Sequence, residues 1–207
     1  SESNMSGLIN PLAAIIQQAS RLPDSGMAAN YHQRIGTGNP DIWCLLLDTS
    51  GSMDAECKGK ERRIDVLRKA VEGLDWRNYK LFTFDSVVAE ITSPDGLWRC
   101  GGSTALDLAL DRIVALKPAR TVVISDGEPN SEPEAIAAAK RLTGTISTIH
   151  IGNDRDRDAI AFMRKLAELG CGSTYIQDLG RGHVELSATI VALATGGNRL
   201  MLPPSRS

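Results

Sequence analysis

Six consecutive apolar residues, Ile42-Trp43-Cys44-Leu45-Leu46-Leu47, break off at Asp48, and no other stretch limits so narrowly the folds open to this chain. The run is too short to span a membrane and lacks the polar alternation of a strand with one wet face. It suits a strand buried on both faces of a parallel sheet. A second run of this kind, Thr121-Val122-Val123-Ile124-Ser125, ends in Asp126-Gly127. Strands covered on both faces need helices on both sides.

Apolar residues at helical spacing supply them: Ile64, Leu67, Val71 and Leu74; then Leu106, Leu110 and Ile113; then the helix formers of 135–142; then Phe162, Leu166 and Leu169; then Leu186, Ile190 and Leu193. Thr104 with Asp107, and Ser131 with Glu134, read as capping boxes at two of the helix starts. The acids of the charged run 154–158 suit the start of the fourth helix, and Gly170 suits its end. Strand patterns lie at 79–84, 87–91, 145–151 and 173–177, the first two joined so tightly around Asp85-Ser86 that they form a hairpin. This alternation predicts an α/β fold, a doubly wound, mostly parallel six-stranded sheet with helices on both faces and right-handed crossovers. Upstream, Asn10 and Pro11 open a helix through Leu12, Ile15, Ile16, Ala19 and Leu22 that Pro23 stops. The expected division is 1–4 as an expression remnant before Met5, 5–40 as a helix and loop extension, 41–196 as the domain and 197–207 as a tail.

The residues that follow the first run are Asp48-Thr49-Ser50-Gly51-Ser52. Ligand sites of open α/β sheets lie at the C-terminal ends of the strands. One carboxylate and two hydroxyls at i, i+2 and i+4, on a turn tightened by Gly51, can converge on a point, and these hard oxygens suit Mg²⁺ or Mn²⁺ better than Zn²⁺. Asp, Ser and Gly are also ordinary turn residues, so the weight falls on two further segments. Gly101-Gly102-Ser103-Thr104 brings hydroxyls to the start of a helical pattern, and Asp126 sets a second carboxylate after the second buried strand.

Together the three segments resemble the metal-ion-dependent adhesion site (MIDAS) of von Willebrand factor A (vWA) domains. That family's pattern is D-x-S-x-S, then a Thr in a Gly-rich loop, then an Asp after the fourth strand. Asp48, Ser50, Ser52, Thr104 and Asp126 match it in order, and the resemblance covers 41–196. It implies a bound Mg²⁺ (or Mn²⁺) at these five residues and a third strand that is the single antiparallel edge strand.

Two carboxylates and three hydroxyls leave a divalent cation electrophilic, with an open coordination position. The resemblance implies that an Asp or Glu of a protein partner fills it, which completes geometry and charge at once and makes metal and partner bind cooperatively. Met53, Asp54, Glu128, Asn130, Asn153 and Asp154 are the expected partner-binding rim. Its acids repel an anionic ligand unless the metal is present, and the loops are expected to add little positive charge. The rival class is a Mg²⁺-dependent phosphohydrolase with an aspartyl nucleophile. Such enzymes commonly carry a second carboxylate two residues later, where this chain has Ser50. There is no P-loop and no G-x-S-x-G elbow, and His32, His150 and His183 read as structural or exposed. The expectation is a binding module with no enzymatic activity. Similar bacterial intracellular vWA proteins commonly serve as adaptors beside AAA+ ATPases, or beside kinase and phosphatase partners in stress or defence systems.

Bulk properties narrow the setting. Net charge is -2 and no basic run exceeds Arg62-Arg63, so there is no electrostatic footprint for nucleic acid or an anionic membrane. No apolar stretch approaches about 18 residues, and no basic-then-apolar leader opens the chain, so a cytoplasmic protein is expected over an extracellular adhesin. The four cysteines form no C-x-x-C pair. Cys44 reads as a small core residue, and Cys57 and Cys100, in loops that border the metal edge, are expected as free thiols in a reducing cytosol.

Overall fold

The computed structural model describes residues 34, 36–57, 60–97, 99–177 and 183–195. The helix expected over residues 10–22, His32 and the tail 197–207 lie outside them. Six strands, β1 (Asn39–Asp48), β2 (Lys80–Phe84), β3 (Val88–Ile91), β4 (Pro118–Ser125), β5 (Thr145–His150) and β6 (Cys171–Ile176), form one sheet in the order β3-β2-β1-β4-β5-β6. All pairings are parallel except β2 with β3, so β3 is the antiparallel edge strand. The chain lays strands outward from β1 in one direction, then returns to β4 on its other side. The switch point of the sheet, where open α/β folds bind ligands, therefore lies between β1 and β4.

Five α-helices flank the sheet among the described residues: α1 (Arg63–Glu72), α2 (Leu106–Val114), α3 (Glu132–Arg141), α4 (Arg157–Leu169) and α5 (His183–Thr195). The uniformly apolar run 42–47 of β1 follows from their placement. Leu45 and Leu47 enter one core with Val122 and Ile124 of β4, Ile64 and Leu67 of α1, and Leu186 and Ile190 of α5. Cys44 and Leu46 enter the opposite core with Val123, Leu110 of α2, Ala138 of α3 and Phe162 of α4. Side chains that alternate between two cores leave no position for a polar residue until the strand ends.

Two capping boxes read from the sequence are not made. Helix α2 starts at Leu106 with Ala105 in the cap position, because the main chain of Thr104 is bonded to Asn130 on both sides. Ser131 caps α3 by position but makes no side-chain cap bond, and the Pro in the first turn removes one of the amides such a hydroxyl serves. Helix α4 is capped as its acidic start suggests, with Asp156 accepting from the Ala159 N–H. His150 is buried at the end of β5 with Nε2 against the Asn153 carbonyl at 3.1 Å. Cys44 lies in the core, and all four cysteines are free. No described helix is long and apolar enough to cross a membrane.

Candidate metal centre

The strand register brings the two aspartates together. Leu47 pairs with Ile124, so Asp48 closes β1 beside Ser125, and Asp126 is the next residue of the chain. Asp48 is fully buried. One of its oxygens accepts from the Ser50 N–H at 2.8 Å, the other from Ser125 Oγ at 2.5 Å. Burial pushes its pKa up to about 6, even though these hydrogen bonds favour the ionised form.

Past Asp48 the chain enters a short 3-10 turn, Gly51–Asp54, that presents Ser50 and Ser52 side by side with their Oγ atoms 3.1 Å apart. Ser52 Oγ donates to Asp126 Oδ1 at 2.6 Å, so the Ser50 hydroxyl is left as donor to Ser52. The other oxygen of Asp126 accepts from Nη1 of Arg63 at 2.5 Å, in an ion pair whose carboxylate side chain has no exposed surface. The same Nη1 lies 3.5 Å from the Ser52 carbonyl oxygen.

The glycine loop docks on this turn through its main chain. Gly101 N–H donates to Thr49 O at 3.0 Å and Gly51 N–H to Gly102 O at 3.4 Å. Gly102 has φ +70°, and a Cβ there would stand 2.5 Å from Ser86 Oγ, so both conformation and space call for glycine. Thr104 is set by Asn130, which accepts from the Thr104 N–H with Oδ1 at 2.9 Å and donates its own N–H to the Thr104 carbonyl at 2.9 Å. The neighbouring Ser103 hydroxyl is held by Ser86 Oγ at 3.2 Å and Asn130 Nδ2 at 2.9 Å.

Ser50, Ser52 and Asp126 thus meet through their side chains, Asp48 joins them through the Ser50 amide, and Thr104 follows the glycine loop that docks on the turn, with its main chain held by Asn130. Neighbouring ligands of an octahedral Mg²⁺, at about 2.0–2.1 Å from the ion, stand about 3 Å apart. The 3.1 and 2.6 Å separations of the Ser50, Ser52 and Asp126 oxygens lie close to that spacing, and the donors are hard. Among the described residues no group of three His, Cys, Asp or Glu side chains could hold a metal, so the hydroxyls distinguish this cluster from a zinc-type site.

The rim differs from the sequence reading at Met53 and in its charge. Met53 is no rim residue: the 3-10 turn rolls it inward, and it is fully buried in the core with Ile64 and Leu67. Asp54 is exposed but paired with Arg62 at 2.9 Å. Positive charge does reach the site, on Arg63. Glu128, Asn130, Asn153 and Asp154 are exposed, with the Asn130 side chain committed to the glycine loop. Ser125 is a further partner of Asp48, signalled in the sequence by its position just before Asp126 on a strand paired with β1. Nothing local marks Arg63, which reaches Asp126 only because α1 begins against the turn.

No family model and no curated protein matches the chain by sequence. Solved structures match it by fold. A von Willebrand factor type A protein from Catenulispora acidiphila superposes with a TM-score of 0.62 at 14% identity, over 76% of this chain. This chain spans only 43% of that protein's length. The manganese-loaded TRAP protein of Plasmodium vivax superposes with a TM-score of 0.52 at 19% identity, over 72% of each chain. The fold is that of vWA domains.

Proposed function

We propose that this chain is a metal-dependent protein-binding module in which Asp48, Ser50, Ser52, Thr104 and Asp126 form a complete MIDAS. Mg²⁺ or Mn²⁺ held there supplies a Lewis acid with one position open to an Asp or Glu carboxylate of a protein partner. The observation that carries the reading is the contact of Ser50 Oγ, Ser52 Oγ and Asp126 Oδ1 at the switch point of the sheet, at a spacing close to that of metal ligands. A neighbour in fold that is loaded with manganese supports it. We further propose that the module is not an enzyme. In support, the position two residues after Asp48, where aspartyl phosphohydrolases commonly carry a second carboxylate, holds Ser50, whose hydroxyl is engaged with Ser52. The setting proposed with it is that of a bacterial cytoplasmic adaptor, beside an AAA+ ATPase or a kinase and phosphatase system.

Calorimetry with Mn²⁺ tests the site: wild type should bind one ion and Asp48→Ala none, and equal uptake by both would move the metal elsewhere. Capture of partners from the source cell, with and without EDTA, tests the function. Partners retained at full strength in EDTA would place recognition on another surface.

A further inference from the structure

We infer that Arg63 is a built-in counter-cation of the metal centre, which competes with the divalent ion for Asp126 and gives the loaded site the positive charge that draws an acidic ligand. The inference rests on the metal-site reading above.

Arg62 and Arg63 are adjacent yet differently employed. Arg62 lies on the surface, its side chain 42% exposed, paired with Asp54 at 2.9 Å and Asp65 at 2.8 Å. Arg63 is the first residue of α1, and its N–H donates to the Ala55 carbonyl at 3.0 Å, which fixes the start of the helix against the turn that carries Ser52. Its side chain is 21% exposed and runs inward to a carboxylate with no exposed surface. Ser52 occupies Asp126 Oδ1, and Arg63 takes Oδ2, the remaining oxygen of that ligand.

The charge balance follows from these contacts. Asp48, Asp126 and Arg63 together carry one net negative charge when ionised, and a divalent ion turns this into one net positive charge. Without Arg63 the loaded site is neutral. A guanidinium does not deprotonate in proteins, so its charge persists when the ion arrives, and its fork of N–H donors suits a carboxylate. Two cations that answer to one buried carboxylate weaken each other's binding, and the same charge raises the affinity of the loaded site for an anion. Arg63 therefore lowers metal affinity and raises ligand affinity. A purely structural role would lower both on removal.

The test uses the full chain as wild type, Arg63→Gln and Arg63→Lys. Mn²⁺ alone is titrated by calorimetry. Acetate is then titrated into the Mn²⁺-loaded proteins, its displacement of metal-bound water followed by proton relaxation. Arg63→Gln should bind Mn²⁺ at least fivefold tighter and acetate at least threefold weaker than wild type, with Arg63→Lys closer to wild type in both. Failure of either change in Arg63→Gln overturns the inference and leaves the metal site standing. Absence of Mn²⁺ uptake by wild type itself overturns the metal-site reading instead. If Arg63→Gln folds only with Mn²⁺ present, the acetate titration of its loaded form decides, and an affinity equal to that of wild type overturns the inference. If it folds under neither condition, the wild-type Arg63 Nε–H resonance decides: it should shift on Mg²⁺ addition and saturate at one equivalent, and an unmoved resonance overturns the proposal.

Discussion

A carboxylate at the inner end of a central strand is costly to ionise. Asp48 has no exposed surface, and burial raises its pKa from 3.8 to about 6 against the pull of the Ser50 and Ser125 hydrogen bonds. The folded chain therefore binds this proton more tightly than the unfolded chain. Stability from Asp48 is greatest below pH about 4, falls as pH rises toward about 6, and above that the full cost of about 3 kcal/mol is present. Asn in its place can accept from the Ser50 N–H and donate to Ser125 Oγ without a charge. Asp48→Asn should therefore stabilise the protein in EDTA at pH 8, by up to about 3 kcal/mol, and the gain should vanish near pH 4. Urea unfolding at the two pH values checks this, and a gain of equal size at both would assign the effect to packing instead of charge. The conflict fits the ligand role proposed for Asp48: the position is poor for a bare anion and good for an anion that meets a cation.

Among the elements, β1 and β4 are legible from sequence because each must be apolar on two faces, and their terminal aspartates are legible because a buried strand turns polar only where it leaves the core. Helix starts are less so. A capping pattern is local, but the groups it needs can be claimed elsewhere, as Asn130 claims the main chain of Thr104. Met53 reads as a rim residue by adjacency to Ser52, yet a single 3-10 turn reverses its direction. Arg63 is invisible to any local pattern, since its meaning depends on a contact with a residue 63 positions later. The contrast between caps is testable. Ser131→Ala, which removes no side-chain cap bond, should cost under about 0.5 kcal/mol, whereas Asp156→Ala, which frees the Ala159 N–H and removes a negative charge at a helix start, should cost about 1 kcal/mol. Chemical denaturation of the two variants compares them directly, and equal costs would mean that the cap bond of Asp156 contributes nothing.

Across the whole molecule the proposed donors come from three separated segments, 48–52, 101–104 and 125–126, that only the strand order β2-β1-β4 brings to one edge. The unfolded chain holds the same two carboxylates and hydroxyls far apart and has no comparable site. An ion that binds only the assembled edge must stabilise the entire fold by the linkage relation, about 2.7 kcal/mol at a concentration one hundred times its Kd. Mn²⁺ at that concentration should thus raise the urea midpoint of the wild type with the slope of the transition unchanged, because the surface exposed on unfolding is the same. Asp48→Ala should show no increment. Amide exchange adds spatial detail: protection should rise first in the Ser50 and Gly51 amides and in the Gly101 and Thr104 amides, where loop bonds meet the site, before the sheet itself gains. An increment of equal size in Asp48→Ala would mean that the stabilising ion sits elsewhere on the molecule, and that the alignment of β1 and β4 serves the core alone.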